Sequence, residues 1–104
     1  MSLASRYLRE AAVEAREAAE WYAARNPRLR KAFLDAIRTG VAAARENPGR
    51  FRCAYNEFRR VLLKRFPYAV WLRVHLETVV VVAVIHCARD PEELKRRLQE
   101  RWTE

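Results

Sequence analysis

A chain of 104 residues suits one domain, expected to span 1–104 with a single modest core, and nothing in it suggests a second. Lysine and arginine number 21 against 13 aspartates and glutamates, a formal charge of +8, and seven of those cations lie between Arg50 and Arg73 with Glu57 as the sole acid among them. Cys53 and Cys87 stand alone without zinc-type spacing, and the longest apolar run, Val79 to Ile85, is far below the length of a membrane helix.

The hydrophobic period is helical at first. From Glu10 to Ala24, Ala11, Ala15, Ala18, Ala19 and Tyr22 share one stripe, with Glu14, Arg16, Glu17 and Glu20 around it. Those carboxylates read as surface charge with local partners. Asn26-Pro27 then supplies a cap and a proline at the first helical position, where a missing N–H costs nothing. Leu29, Phe33, Ala36, Ile37, Val41 and Ala44 form the apolar face of this second helix, which Asn47-Pro48-Gly49 ends. The short Arg25-Asn26 connection predicts an antiparallel helical hairpin.

Beyond the hairpin the period shortens to two. Phe58 to Phe66 is a strand-length block of apolar and basic residues, and Pro67 separates it from a second strand, Tyr68 to His75. There Tyr68, Val70, Leu72 and Val74 alternate with Ala69, Trp71, Arg73 and His75, which predicts one core face and places His75 in water at a turn. Leu76-Glu77-Thr78 turns the chain into Val79 to Ile85, whose β-branched run predicts an interior strand covered on both sides. Asp90-Pro91 with Glu92-Glu93 marks the cap and capping box of a terminal helix continued by Leu94, Leu98 and Trp102. Leu3 to Leu8 is a weaker candidate for a further short strand.

The basic window calls for an acidic partner: nucleic acid, an acidic protein segment or, less readily, an anionic membrane surface. The start of the sequence lacks a charged-then-apolar leader with a small-residue cleavage site, so a reduced, cytoplasmic protein is expected, with no metal and no cofactor.

Element order and residues together resemble the RelE/ParE superfamily of bacterial toxins, and in particular its ParE-like, plasmid-stabilisation branch. The likeness rests on Glu10-Ala11, Ala18-Ala19-Glu20-Trp21-Tyr22, Asn26-Pro27, Phe33-Leu34 and Asn47-Pro48 in the helical half. In the second half it rests on Arg59-Arg60, Phe66-Pro67-Tyr68, Arg73-Val74, Val84-Ile85-His86 and Arg89-Asp90-Pro91. The resemblance implies an α+β fold: an N-terminal helical hairpin packed on a small, mainly antiparallel sheet of three to four strands, with a short C-terminal helix. It implies the toxin of a type II toxin–antitoxin module, held by a cognate antitoxin that is ParD-like, with a ribbon-helix-helix half and an acidic C-terminal segment. Operator DNA would be bound only through that antitoxin.

The same resemblance offers two targets. A ParE-like toxin poisons DNA gyrase without chemistry, and the residues expected to bind target or antitoxin are Arg59, Arg60, Lys64, Arg65, Trp71 and Arg73. A RelE-like toxin cleaves messenger RNA on the ribosome, which requires a base, an acid and cations around the phosphate; His86, Arg65, Arg73 and Arg89 are the candidates for those roles. RelE-like nucleases commonly carry a tyrosine or second histidine near the C-terminus, whereas Trp102 is the only aromatic after Arg89. Gyrase inhibition is therefore the first expectation, ribonuclease chemistry the second, and a toxin-derived binding module without toxicity the third.

Overall fold

The computed structural model describes residues 2–102, in which two layers of helix flank a five-stranded sheet. In chain order the elements are β1 (Ala4–Tyr7), α1 (Arg9–Ala23), α2 (Arg28–Glu46), a single 3-10 turn at Pro48–Arg50, β2 (Cys53–Tyr55), β3 (Phe58–Leu62), β4 (Tyr68–His75), β5 (Thr78–His86) and α3 (Pro91–Arg101). The strands lie in the order β1-β5-β4-β3-β2, antiparallel except that β1 runs parallel to β5. Five strands replace the three to four expected. The weak candidate at Leu3 to Leu8 is a true edge strand, held by pairing with β5 from Ala4↔Thr78 to Tyr7↔Val81 rather than by burial of its own exposed side chains. β2 has three residues, too few for any alternation to show in the sequence.

The hairpin of α1 and α2 covers one face of the sheet. The alanine stripe Ala11, Ala15, Ala18 and Ala19 is buried, and small side chains allow α1 to lie close against its neighbours. Phe33, Ile37, Val41 and Ala44 of α2 complete this core with Val61, Val70, Leu72, Val79, Val81 and Val84 from the sheet. The two-helix connection is clamped outside by Arg30, which donates Nε and Nη2 to the two oxygens of Glu20 at 2.7 Å each and holds that carboxyl below the usual range. Asn26 accepts from the Arg28 amide at 3.0 Å, the capping bond its position in the sequence announces.

The opposite face is not left to solvent, as the alternation of β4 implied. Trp71, only 5% exposed, packs with Ala69, Phe58, Val80, Val82 and Ile85 beneath Leu98 of α3. Leu98 is wholly buried, which contributes about 2 kcal/mol toward holding that helix down. The alternation of β5 is broken once: Trp71 pairs with Ala83 but Leu72 with Val81, so Val82 is an extra residue in a β-bulge. The bulge turns both Val82 and Ala83 to the α3 side, and because the run is apolar throughout, both faces are covered. Asp90 caps α3 by accepting from the Glu92 amide, whereas Glu93 does not close the predicted capping box; its Oε1 accepts from Arg89 and Arg97 instead.

Candidate functional site

Three of the predicted site residues lie apart from one another for reasons of strand geometry. Arg73 stands on the α3 face of β4, its guanidinium 4.8 Å from the ring centre of Trp102, with Nη2 donating to Glu57 at 3.3 Å. His75, expected in water at a turn, ends the same strand with its ring 5.4 Å from Trp102. His86 pairs with Tyr68 at the other end of β4, five residues and roughly 17 Å from Arg73 along the strand. Arg65 lies in the β3–β4 loop over Phe66, on the α2 side of the molecule. Of the four residues considered for RNA cleavage, His86 and Arg89 line a common cavity; Arg65 and Arg73 do not.

The basic strand pair is likewise divided. Arg59 points to the hairpin side and donates to the Phe51 carbonyl at 2.7 Å, while Arg60 lies on the α3 side, 5.9 Å from the ring of Trp71. Trp71 itself is a core residue and presents no surface to a partner. Lys64 and Arg65 join Arg28, Lys31 and Arg50 on the rim of a groove of about 760 Å³ between α2 and β3. Its floor is built from Ala32, Ala36, Gly40 and Ala43 of α2 with Phe51, Val61 and Leu63. The single acid there, Asp35, is already engaged by Lys31 at 2.6 Å and Arg38 at 2.9 Å, which hold its carboxyl low. β2 stops pairing opposite Arg59, and strand alternation turns the amide and carbonyl of Leu62 toward the open edge beside this groove. Leu62 is 57% exposed.

The cavity that holds His86 occupies about 750 Å³ at the outer side of β5, between α1 and α3. Its wall is aromatic: Trp21 and Tyr22 from α1, Tyr68 from β4, and His86, whose ring lies edge-on to Tyr68 at 5.1 Å. The Ala88 amide donates to His86 Nδ1 at 3.0 Å, so a neutral imidazole carries its proton on Nε2. Burial raises the hydroxyl pKa of Tyr68 against the opposing charge of Arg89, and raises that of Tyr22, with Tyr68 adding to the effect. Both are neutral phenols at physiological pH.

One member of this site was hidden in the sequence. Glu14 does not pair locally: it accepts from Arg97 at 3.0 Å and from Arg101 at 2.7 Å, across more than eighty residues. Beyond the end of β1, the Val84 amide donates to Glu14 at 2.9 Å and the Val82 carbonyl accepts from Arg101 at 3.0 Å. Two side chains thus take the place of a strand at the bulged edge of β5. The signal was the position of Glu14, three residues after Ala11 and four before Ala18, which sets a carboxylate on the buried stripe. Among the described residues no group of three or more histidine, cysteine, aspartate and glutamate side chains is arranged to hold a metal ion, and no helix is long and apolar enough to cross a membrane.

Comparison with known proteins bears on what such a molecule is. The chain is similar in structure to a chain of the chromosomal ParDE TA system from P. aeruginosa, with a TM-score of 0.70 over 82% of this chain and 96% of that one. At 16% identity this likeness speaks to the fold. A search of curated proteins by sequence found no match. The family model of the ParE toxin of type II toxin–antitoxin systems, parDE, matches residues 6–91. That match takes in the hairpin, all of β2 to β5 and the cap of α3, and by it this chain belongs to the ParE toxin family of type II toxin–antitoxin systems.

Proposed function

We propose that the chain inhibits DNA gyrase by binding it, without catalysis, and is neutralised by a ParD-like antitoxin whose acidic C-terminal segment lies in the groove between α2 and β3. The observation that carries the first part is the separation of His86 from Arg73, with Arg65 lining a different groove. Phosphoryl-oxygen cleavage needs its cations converging within a few ångströms on the charge that grows in the transition state. Here Arg73 is held roughly 17 Å away on the opposite face of the sheet.

The groove supports the second part. Arg28, Arg50, Lys64 and Arg65 have no ion-pair partner among the described residues, and they ring an apolar floor beside the open edge of β3. An acidic amphipathic segment satisfies both features, laying apolar side chains on Ala32, Ala36 and Ala43 and carboxylates against the rim. A segment of that composition is commonly disordered when free and folds as it binds. The ion pairs would lie at a rim in contact with water, so affinity should fall as salt is raised.

The test is purified chain added to gyrase with supercoiled plasmid and ATP, beside a ribosome-programmed translation reaction whose message is mapped for cuts. Lost supercoiling or trapped linear DNA with intact message supports the reading. Codon-positioned cuts with unaffected gyrase would refute it and make His86→Ala the first variant to examine.

A further inference from the structure

We infer that the aromatic cavity at the end of β5 is the surface that seizes the protein target, taking an exposed loop of that target whose apolar or planar side chain inserts between Trp21, Tyr22, Tyr68 and His86. The inference rests on the binding-toxin reading above and assigns it a surface distinct from the basic strands.

Three observations carry it. The first is composition and exposure. Trp21 is 53% exposed, with the Arg25 guanidinium laid 3.3 Å from its ring centre and donating to the Trp21 carbonyl, so a large ring is fixed in place at the cavity mouth with part of its surface in water. Ordered tryptophan, tyrosine and arginine side chains at a concave site are the residues that dominate binding energy at protein interfaces. A fixed ring also loses little freedom when a partner covers it.

The second is hydrogen-bonding capacity. The hydroxyls of Tyr22 and Tyr68 and Nε2 of His86, whose Nδ1 is already engaged, line the cavity as polar groups within its aromatic wall. All three can donate, so the occupant presents acceptors: main-chain carbonyls of a loop, or a side-chain amide or carboxylate.

The third is charge, and it selects a protein over a nucleic acid. Although the chain carries +8, the arginines around this cavity are matched: Arg89 with Glu93, Arg97 with Glu93 and Glu14, Arg101 with Glu14. Glu17 adds a further carboxylate to the lining. A nucleic-acid strand brings a phosphate with every nucleotide and needs unmatched cations to receive them. Arg25 at the mouth has no carboxylate partner among the described residues but is engaged by Trp21, whereas Arg28, Arg50, Lys64 and Arg65 stand unmatched together at the α2–β3 groove. A cavity of about 750 Å³ accommodates one or two loop side chains with their backbone.

The experiment compares wild-type chain with Trp21→Ala and His86→Gln, reading gyrase affinity by surface plasmon resonance, supercoiling inhibition, affinity for the antitoxin and binding of single-stranded oligonucleotide. Trp21 lies at the surface and its removal leaves the core intact. The expected result is gyrase affinity and inhibition weakened about thirtyfold in Trp21→Ala, with antitoxin affinity unchanged. Wild-type potency in both variants overturns the inference and leaves gyrase inhibition standing. Oligonucleotide binding by wild-type chain that vanishes in Trp21→Ala overturns it in favour of a nucleic-acid site. A wild-type chain inert toward gyrase removes the functional reading beneath it, and the inference falls with that reading.

Discussion

Glu14 shows how much one carboxylate can organise when it sits where an alanine is expected. Its side chain is 16% exposed and serves two guanidinium groups and a main-chain amide at once. Removing the charge leaves Arg97 and Arg101 partly buried without their counterion, the situation in which breaking a pair costs more than the pair is worth. Glu14→Gln is therefore expected to destabilise the fold by about 2–3 kcal/mol, measured by urea denaturation. Glu17→Gln, one position in a solvent-facing row, should change stability by less than about 0.5 kcal/mol. Equal losses in the two variants would show that the network contributes nothing specific. At this scale the sequence was only half legible. The cap at Asn26, the cap at Asp90 and the burial of Phe33, Ile37 and Val41 followed from residue type and spacing. Partners such as Arg101 for Glu14 did not, because 87 positions separate them and side-chain pairing at that range is a product of the fold.

Among the elements, the β4–β5 hairpin carries a visible conflict between residue and conformation. His75 pairs with Thr78, leaving Leu76 and Glu77 as a two-residue turn with φ of 50° and 60°. Both are in the left-handed region that such a turn demands and that asparagine and glycine adopt with least cost. Leu76 is 83% exposed, so its side chain contributes no packing in exchange. Leu76→Asn with Glu77→Gly is expected to stabilise the protein by about 1 kcal/mol, seen as a rise in Tm. An unchanged or lowered Tm would mean the turn is relaxed in solution. The opposite test lies at Gly40, where an added Cβ would come within 2.9 Å of Val61 Cγ1. Gly40→Ala should therefore lose about 1–2 kcal/mol despite its better helix propensity, because α2 must move off β3. In the Val61→Ala background the two costs should fail to add, since the methyl that obstructs is gone.

Strand existence was read where runs were long, as in β4 and β5, only weakly where pairing alone makes the strand, as in β1, and not at all in the three residues of β2. Cover on the α3 face was read from the run of β5 and missed in β4, for a related reason. Alternation in β4 announces one apolar face, whereas Ala69 and Trp71 are covered by a helix that the chain makes last and that no local pattern links to them.

For the molecule as a whole, three tyrosines set its behaviour in alkali. Burial raises the hydroxyls of Tyr7, Tyr22 and Tyr68, with Arg38 partly opposing this at Tyr7 and Arg89 at Tyr68. In the unfolded chain each loses its proton near pH ~10. As pH rises past that value the unfolded state becomes charged first while the native phenols stay neutral. The stabilisation is complete below pH ~10 and is lost as pH climbs through the raised native values. Denaturation midpoints should fall steeply above pH ~10, and Tyr22→Phe should flatten that fall. A slope unaltered by Tyr22→Phe would assign it to other groups.

The order in which the chain is made gives the parallel pairing of β1 with β5 one more meaning. Ala4 must wait for Thr78, and Glu14 for Arg101, so segments far apart in sequence close the sheet edge together. On the ribosome the hairpin of α1 and α2 can form early, because its contacts are close in sequence. The cavity beside β5 cannot, since its α1 wall precedes by some fifty residues the β4 and β5 residues that face it. A chain lacking α3 would leave the apolar face around Trp71 uncovered and the cavity without its Arg97 side. That makes the partly built chain a substrate for chaperones and proteases before it can act on any target.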